Sequence, residues 1–253
     1  MLRTRVIPCL LVNNGRLVKT VKFKNPSYIG DPVNAIKIYN EKEVDELILL
    51  DITATVEKRS PPFQLLSEVV DELFMPLTYG GGISSIEHIK KLLAMGIEKV
   101  SINSHAVENP SFIRQASELF GSQSIVVSMD VKKTLLGKYH LYTHGGKKNT
   151  GIDPVAFAQQ MEKAGAGEIL LYAMDRDGTM EGYDINLIRK VTDEISIPVI
   201  SCGGAGNTSD FAKAVEDGGS SAVAAGSMVV YQNKNLGVLI NFPTREELQS
   251  VLD

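Results

Sequence analysis

The sequence predicts an α/β chain closed into one (β/α)8 barrel made of two similar half-barrels, about 1–122 and 123–253. Three observations point there. Eight short apolar runs recur along the chain, each followed by Gly or Pro punctuation and then by a helical pattern. Runs that are apolar throughout read as strands buried on both faces, and strands alternating with helices build a parallel sheet covered by helices. The second observation is an internal repeat. Glu46-Leu47-Ile48-Leu49-Leu50 resembles Glu168-Ile169-Leu170-Leu171-Tyr172, Met75-Pro76-Leu77 resembles Ile197-Pro198-Val199, and Gly81-Gly82 resembles Gly203-Gly204. All three pairs share one offset of 122 positions (46 to 168, 76 to 198, 81 to 203), which a chance likeness between two βα stretches does not hold without gaps. The third is length, since 253 residues suit a single barrel of this kind without a second domain.

The elements follow in order. Strand one is Val6–Val12, preceded by Arg5 and stopped by the turn signal Asn13-Asn14-Gly15. Asp31-Pro32 then opens a helix as an N-cap followed by Pro in the first turn. Strand two, Leu47–Leu50, follows Glu46. Strand three, Leu77–Tyr79, runs into Gly80-Gly81-Gly82, after which Ser84-Ser85 precede the amphipathic run Ile86–Leu93 that ends at Gly96. Strand four, Val100–Ile102, follows Lys99, and Asn109-Pro110 repeats the cap pattern. Strand five, Ile125–Met129, ends on a carboxylate, Asp130, and Asp153-Pro154 opens the next helix. Strands six, seven and eight are Ile169–Leu171 after Glu168, Val199–Cys202, and Ala222–Ala225 before Gly226-Ser227. Aligning Leu11 with Asp130 uses a slightly different offset of 119 (11 to 130). On that register strands one and five face each other across the barrel, and only one of them carries an acid at its C-terminal end.

Composition excludes several function classes. With 26 Lys+Arg against 30 Asp+Glu the net charge is −4, which gives no electrostatic footprint for nucleic acid or an anionic membrane. Two Arg before Val6–Val12 superficially suggest a signal peptide, but no small-residue cleavage site follows and no run approaches bilayer length, so a cytoplasmic protein is expected. Cys9 and Cys202 lie in apolar runs, which suits reduced, buried thiols. His140 and His144 lie in a polar Gly-Lys-rich stretch that reads as a solvated hairpin; no metal site and no cofactor are expected.

In this architecture chemistry belongs at the C-terminal ends of the strands. The polar and small residues there are Asp51, Gly81, Gly82, Asn103, Ser104, Asp130, Asp177, Gly178, Gly203, Gly204, Ala225 and Gly226. Gly81-Gly82 with Asn103-Ser104, and Gly203-Gly204 with Ala225-Gly226-Ser227, form two candidate phosphate cradles built from backbone N–H groups at helix starts. Two cradles imply a ligand with a phosphate at each end; the competing reading is that Gly-Gly merely lets strand and helix pack closely. Asp130 is the candidate general acid or base, because a carboxylate ending an apolar strand in a cleft tends to have a perturbed pKa. Lys19, in the loop after strand one, could fold over a bound anion. At the opposite end Arg5, Glu46, Lys99 and Glu168 each stand just before a strand, and their charges sum to zero, which reads as a stabilising ion-pair cluster.

Over nearly the whole chain the sequence resembles the cyclase subunit of imidazole glycerol phosphate synthase, through "LDITATVEKR" (50–59), "YGGGI" (79–83), "KVSIN" (99–103), "VENPS" (107–111), "FGSQ" (120–123), "GKKNTG" (146–151), "GAGEILL" (165–171), "DRDGTMEGYD" (175–184) and "GGAG" (203–206). The related formimino isomerase of the same pathway is a weaker match. The resemblance implies a glutaminase partner docked at the N-terminal face of the barrel, ammonia passing up through it, and a bisphosphorylated ribotide at the top. It implies that Arg5, Glu46, Lys99 and Glu168 form a charged gate, that the two cradles hold the two phosphates, that Lys19 and Asn103 contact substrate, and that Asp130 is one of two catalytic aspartates.

The departures from the family matter as much. Leu11 stands where the other catalytic aspartate is expected, and leucine cannot carry a proton. Thr20, Tyr172 and Cys202 also depart, as does the C-terminal "GVLINFPTREEL". These changes resemble a branch of the family found in surface-polysaccharide gene sets, which implies an ammonia-supplying subunit working with a separate sugar-modifying enzyme. The alternatives are an ordinary histidine-pathway cyclase and a non-catalytic activator of the glutaminase.

Overall fold

A computed structural model describes residues 4–232 and 237–252. The first half comprises β1 (Arg5–Asn13), β2 (Arg16–Val21), β3 (Lys24–Gly30), α1 (Pro32–Glu41), β4 (Leu47–Asp51), α2 (Phe63–Asp71), β5 (Leu77–Gly80), α3 (Ile86–Ala94), β6 (Lys99–Ile102), α4 (Ser104–Glu108) and α5 (Pro110–Phe120). The second comprises β7 (Ile125–Lys133), β8 (Tyr139–Thr143), β9 (Lys148–Asn149), α6 (Pro154–Lys163), β10 (Glu168–Ala173), α7 (Ile185–Thr192), β11 (Val199–Cys202), α8 (Thr208–Glu216), β12 (Ala222–Ala225), α9 (Ser227–Val230) and α10 (Arg245–Leu252). Eight of the strands run parallel in the order β10-β11-β12-β1-β4-β5-β6-β7, and β7 pairs with β10 to close a (β/α)8 barrel. Each of the eight apolar runs is one of these strands.

Alternation along the strands makes two cores. On β1, Val6, Leu10 and Val12 face the surrounding helices, while Ile7 and Cys9 face inward with Ile48, Val126, Leu170, Ile200 and Ala222. Both Cys9 and Cys202 are buried free thiols of this inner cluster.

The helix starts are largely as the sequence predicts. Asp31 accepts a hydrogen bond from the Asn34 N–H, Ser85 from the His88 N–H, and Asp153 from the Val155 and Ala156 N–H groups. Asn109 differs: its side chain caps no backbone N–H and instead accepts from the Ser111 hydroxyl at 2.6 Å.

Two hairpins were not foreseen in full. After Asn14 and Gly15, both at positive φ (47° and 77°) as a two-residue I′ turn requires, the chain returns as β2 antiparallel to β1 and continues into β3. β7 likewise runs on past Met129 to Lys133 and pairs antiparallel with β8. The first strand of each half thus carries a hairpin above the barrel mouth. Among the described residues no helix is long and apolar enough to cross a membrane.

Candidate functional site

The bottom of the barrel is closed by charge. The Arg5 guanidinium donates to Glu46 Oε2 and to Glu168 Oε1, both at 2.5 Å, and Lys99 Nζ lies 3.2 Å from Glu46 Oε1 and 3.0 Å from Glu168 Oε2. Each cation bridges both acids, so the four side chains make a closed alternating ring. Thr78 adds a hydroxyl hydrogen bond to Glu46 Oε1 at 2.9 Å. Burial alone would lower the Arg5 pKa, yet the Coulombic pull of Glu168 and Glu46 leaves it raised. Above the ring the interior is apolar, apart from hydroxyls such as that of Ser101, which is buried without a hydrogen-bond partner.

The top opens into a cavity of about 730 Å3. Asp130, 9% exposed, lines it with no hydrogen bond or ion pair from the described residues, because it stands on β7 at a position that faces the barrel interior. Burial, and secondarily the charge of Asp177, pushes its carboxyl up to about 7. Leu11 lines the same cavity from β1 and is 3% exposed. Asp130 therefore has no acidic counterpart on β1.

The first-half cradle opens onto this cavity: Gly81, Gly82, Asn103 and Ser104 all line it. Asn103 donates to the Ser128 carbonyl at 3.1 Å, and the Ser104 hydroxyl accepts from the His144 N–H at 3.0 Å. Asp51 also lines it, but its Oδ1 accepts from the Thr53 N–H, the Thr53 hydroxyl and the Ala54 N–H at 2.9, 2.9 and 3.0 Å. That carboxylate is committed to holding the loop after β4, with Arg59 3.6 Å from its other oxygen.

The second-half cradle is a separate pocket of about 10 Å3, lined by Lys19, Asp177, Gly178, Gly203, Gly204, Gly226 and Ser227. The backbone repeat is close here: Asn103 (φ −110°, ψ −84°) and Gly226 (φ −108°, ψ −84°) end their strands alike, and each opens a short helix. Gly81 and Gly203 share positive φ (119° and 95°), and an added Cβ would lie 2.5 Å from the Asp51 carbonyl oxygen and 2.7 Å from that of Ala173. Close packing is thus sufficient reason for glycine at both, whatever they bind. Ala225 is fully buried as the last residue of β12.

Three expectations need correction. Lys19 is not in a loop: it lies on β2, is 3% exposed, and its ammonium is packed against Gly226, so that hairpin pairing carries it into the second cradle. Asp177, 1% exposed, is not open to a ligand. Its Oδ2 accepts from the Thr20 hydroxyl (2.7 Å) and the Phe23 N–H (3.0 Å), and its Oδ1 from the Tyr172 hydroxyl (2.9 Å). The stretch holding His140 and His144 is a hairpin but not a fully solvated one: His144 lines the large cavity and the His140 Nδ1 is buried without a partner. Thr20, Tyr172 and Asp177 each stand out in the sequence, but nothing local joins them into one cluster, because Thr20 lies 157 positions from Asp177. Among the described residues no group of three or more His, Cys, Asp or Glu is placed to hold a metal ion.

Residues 5–235 match the family model described as "Histidine biosynthesis protein". The chain belongs to this family. It is 48% identical to a Pseudomonas aeruginosa protein named "Putative imidazole glycerol phosphate synthase subunit hisF2", over 98% of this chain and 99% of that one. A Leptospira interrogans protein with the corresponding HisF name is 45% identical over 99% of each chain. A Vibrio vulnificus protein named as subunit hisF3 is 46% identical over 100% of this chain and 98% of its own. Within this barrel, the mouth with Asp130 is the larger of the two cavities and the ion-pair ring lies at the opposite end.

Proposed function

We propose that the chain is the ammonia-receiving barrel subunit of a glutamine amidotransferase pair, related to imidazole glycerol phosphate synthase but directing ammonia to the amidation of a sugar. The observation that carries this is Leu11. It lines the cavity that contains Asp130, so a ring closure that needs two opposed carboxylates lacks one. The ion-pair ring supports entry of ammonia from a glutaminase at the N-terminal face. Charged side chains there can part around a neutral molecule that then meets an apolar interior. At the mouth Asp130, with a pKa of about 7, is suited to take the proton released when ammonia attacks an electrophilic carbon. The sugar as acceptor, and a separate sugar-modifying amidotransferase as second partner, rest on the resemblance to the polysaccharide-associated branch.

A second reading is ribotide cyclisation for histidine biosynthesis, favoured by the names of the three relatives. A third, in which the barrel only activates the glutaminase, is disfavoured by the open cavity and by Asp130. The deciding assay supplies purified protein with an ammonium salt and the family's ribotide and follows substrate loss. The amidation reading expects turnover at least about a hundredfold below that of a two-aspartate cyclase, a loss of roughly 2.7 kcal/mol of transition-state stabilisation. Turnover at an ordinary rate would sink it.

A further inference from the structure

The two hairpins above the mouth expose large apolar side chains. Leu135 and Leu136, at the tip of the β7–β8 hairpin, are 107% and 90% exposed. Their exposure is built in, because the tip is closed by hydrogen bonds. The Thr134 N–H donates to the Lys138 carbonyl at 2.7 Å, the Gly137 N–H to the Thr134 carbonyl at 2.9 Å, and the Lys138 N–H to the Thr134 hydroxyl at 3.1 Å. Below the tip, the Lys133 N–H donates to Asp175 Oδ2 at 2.9 Å. Turn chemistry alone favours Gly, Asn, Asp or Ser at such positions, so two adjacent leucines held out in water point to an interaction. Across the mouth, four strands away round the barrel, the β2–β3 hairpin exposes Val21 and Tyr28.

Both hairpins are basic although the chain is not. Residues 131–152 hold five lysines and no Asp or Glu, and residues 14–30 hold three lysines, one arginine and no acid, in a chain of net charge −4. Among the described residues the lysine ion pairs are those of Lys37 and Lys99, so the hairpin lysines have none. The surface that complements them is acidic around an apolar pocket. A bilayer fits poorly: Glu57, Glu108 and Glu181, all exposed, stand after β4, β6 and β10 between the hairpins and would face its anionic headgroups. A second copy of the chain would set lysines against lysines.

We propose that the two hairpins are the docking face for a second enzyme, acidic around an apolar pocket that takes the Leu135–Leu136 tip, seated over the mouth so that ammonia leaving the barrel enters it without release to solvent. The inference rests on the reading that a separate enzyme consumes the ammonia, and it adds where that enzyme sits and what holds it.

Photo-cross-linking in cells that make the full chain tests it. p-Benzoylphenylalanine replaces Leu136 or, as a control at the other end of the barrel, Leu119, which is 59% exposed at the C-terminal end of α5. The Leu136 position is expected to give a protein adduct that the Leu119 position does not. Capture alone does not count: the captured protein, once purified, must bind the wild-type chain. Leu135→Asp with Leu136→Asp should weaken that binding at least about thirtyfold. Lys133→Glu with Lys138→Glu should weaken it about tenfold and flatten its salt dependence. All four positions are exposed, so these variants keep the fold. Adducts with phospholipid or with a second copy of the chain, the same adduct from Leu119, no protein adduct, or binding that either pair of substitutions leaves unchanged, each overturns the proposal. A captured protein that needs the leucines but forms no amidated product from glutamine leaves the docking face standing and defeats the amidation reading. Glutamine-dependent amidation that Leu135→Asp with Leu136→Asp leaves unchanged does the reverse.

Discussion

Asp130 and Leu11 occupy matching ends of β7 and β1, and they differ in what the fold must tolerate. A carboxylate raised to about 7 by burial holds a proton in the folded protein that the unfolded chain, titrating near 3.8, has already released across the interval between. Stability from this group is therefore greatest below about pH 4 and declines as pH rises toward 7, by up to about 1.4 kcal/mol per pH unit. Urea unfolding of wild type and Asp130→Asn at pH 5 and pH 7 reads it directly: the wild type should lose on the order of 2 kcal/mol more than the variant across that span. Equal losses would show that Asp130 is not desolvated. Restoring the missing acid is a separate matter. Leu11→Asp buries a second carboxylate across the cavity from the first, at a cost of about 2 kcal/mol. Leu11→Asp is expected to raise ribotide turnover, read as kcat/KM with ammonium as nitrogen donor; no gain would show that more than the missing acid separates this site from a cyclase. Asp130 was legible in the sequence because a carboxylate ending an apolar strand breaks the pattern. Asp177 was legible only as an acid near a glycine, since the three groups that occupy it come from β2, the β2–β3 turn and β10.

At the level of elements, the eight barrel strands and the Asp-Pro and Ser helix starts could be read in advance because burial on both faces and unsatisfied helix ends leave strong local signals. The hairpins left weak ones. β2 carries Lys19 and Thr20 in its buried centre, and β8 mixes His140 with Leu141, so neither shows the clean alternation of a half-buried strand. What stabilises β2 is tertiary: the Thr20 hydroxyl and the Phe23 N–H on Asp177, and the Lys22 N–H on the Asp177 carbonyl at 2.9 Å. Thr20→Val keeps the shape and deletes one donor to a carboxylate that is 1% exposed, which should cost about 1–3 kcal/mol. Hydrogen exchange locates the loss: the Lys22 and Phe23 amides should exchange faster while those of β4 and β5 do not. Uniform acceleration would mean that the hairpin and the barrel open as one unit.

For the molecule as a whole, the ring and the mouth are built on the same strands. β1 carries Arg5 below and Leu11 above, β10 carries Glu168 below and Tyr172 above, and β6 starts on Lys99 and leads up to Asn103. The repeat made this two-ended plan legible, because it put like residues at like heights on strands of both halves; it could not show that one cradle is open and the other filled, since that depends on a hairpin that packs across the repeat. Lys99→Met tests whether the lower end serves the upper. The substitution keeps the aliphatic stem but leaves Glu46 and Glu168 sharing Arg5 alone, and Glu46 is 4% exposed in its side chain, so a loss of about 2 kcal/mol in stability is expected. If the ring passes ammonia from a glutaminase partner, product formed from glutamine should fall about tenfold or more, while product formed from added ammonium salt stays unchanged, because ammonium reaches the mouth directly. A parallel fall in both would show that the ring supports only the fold, and no fall in either would remove it from the ammonia path.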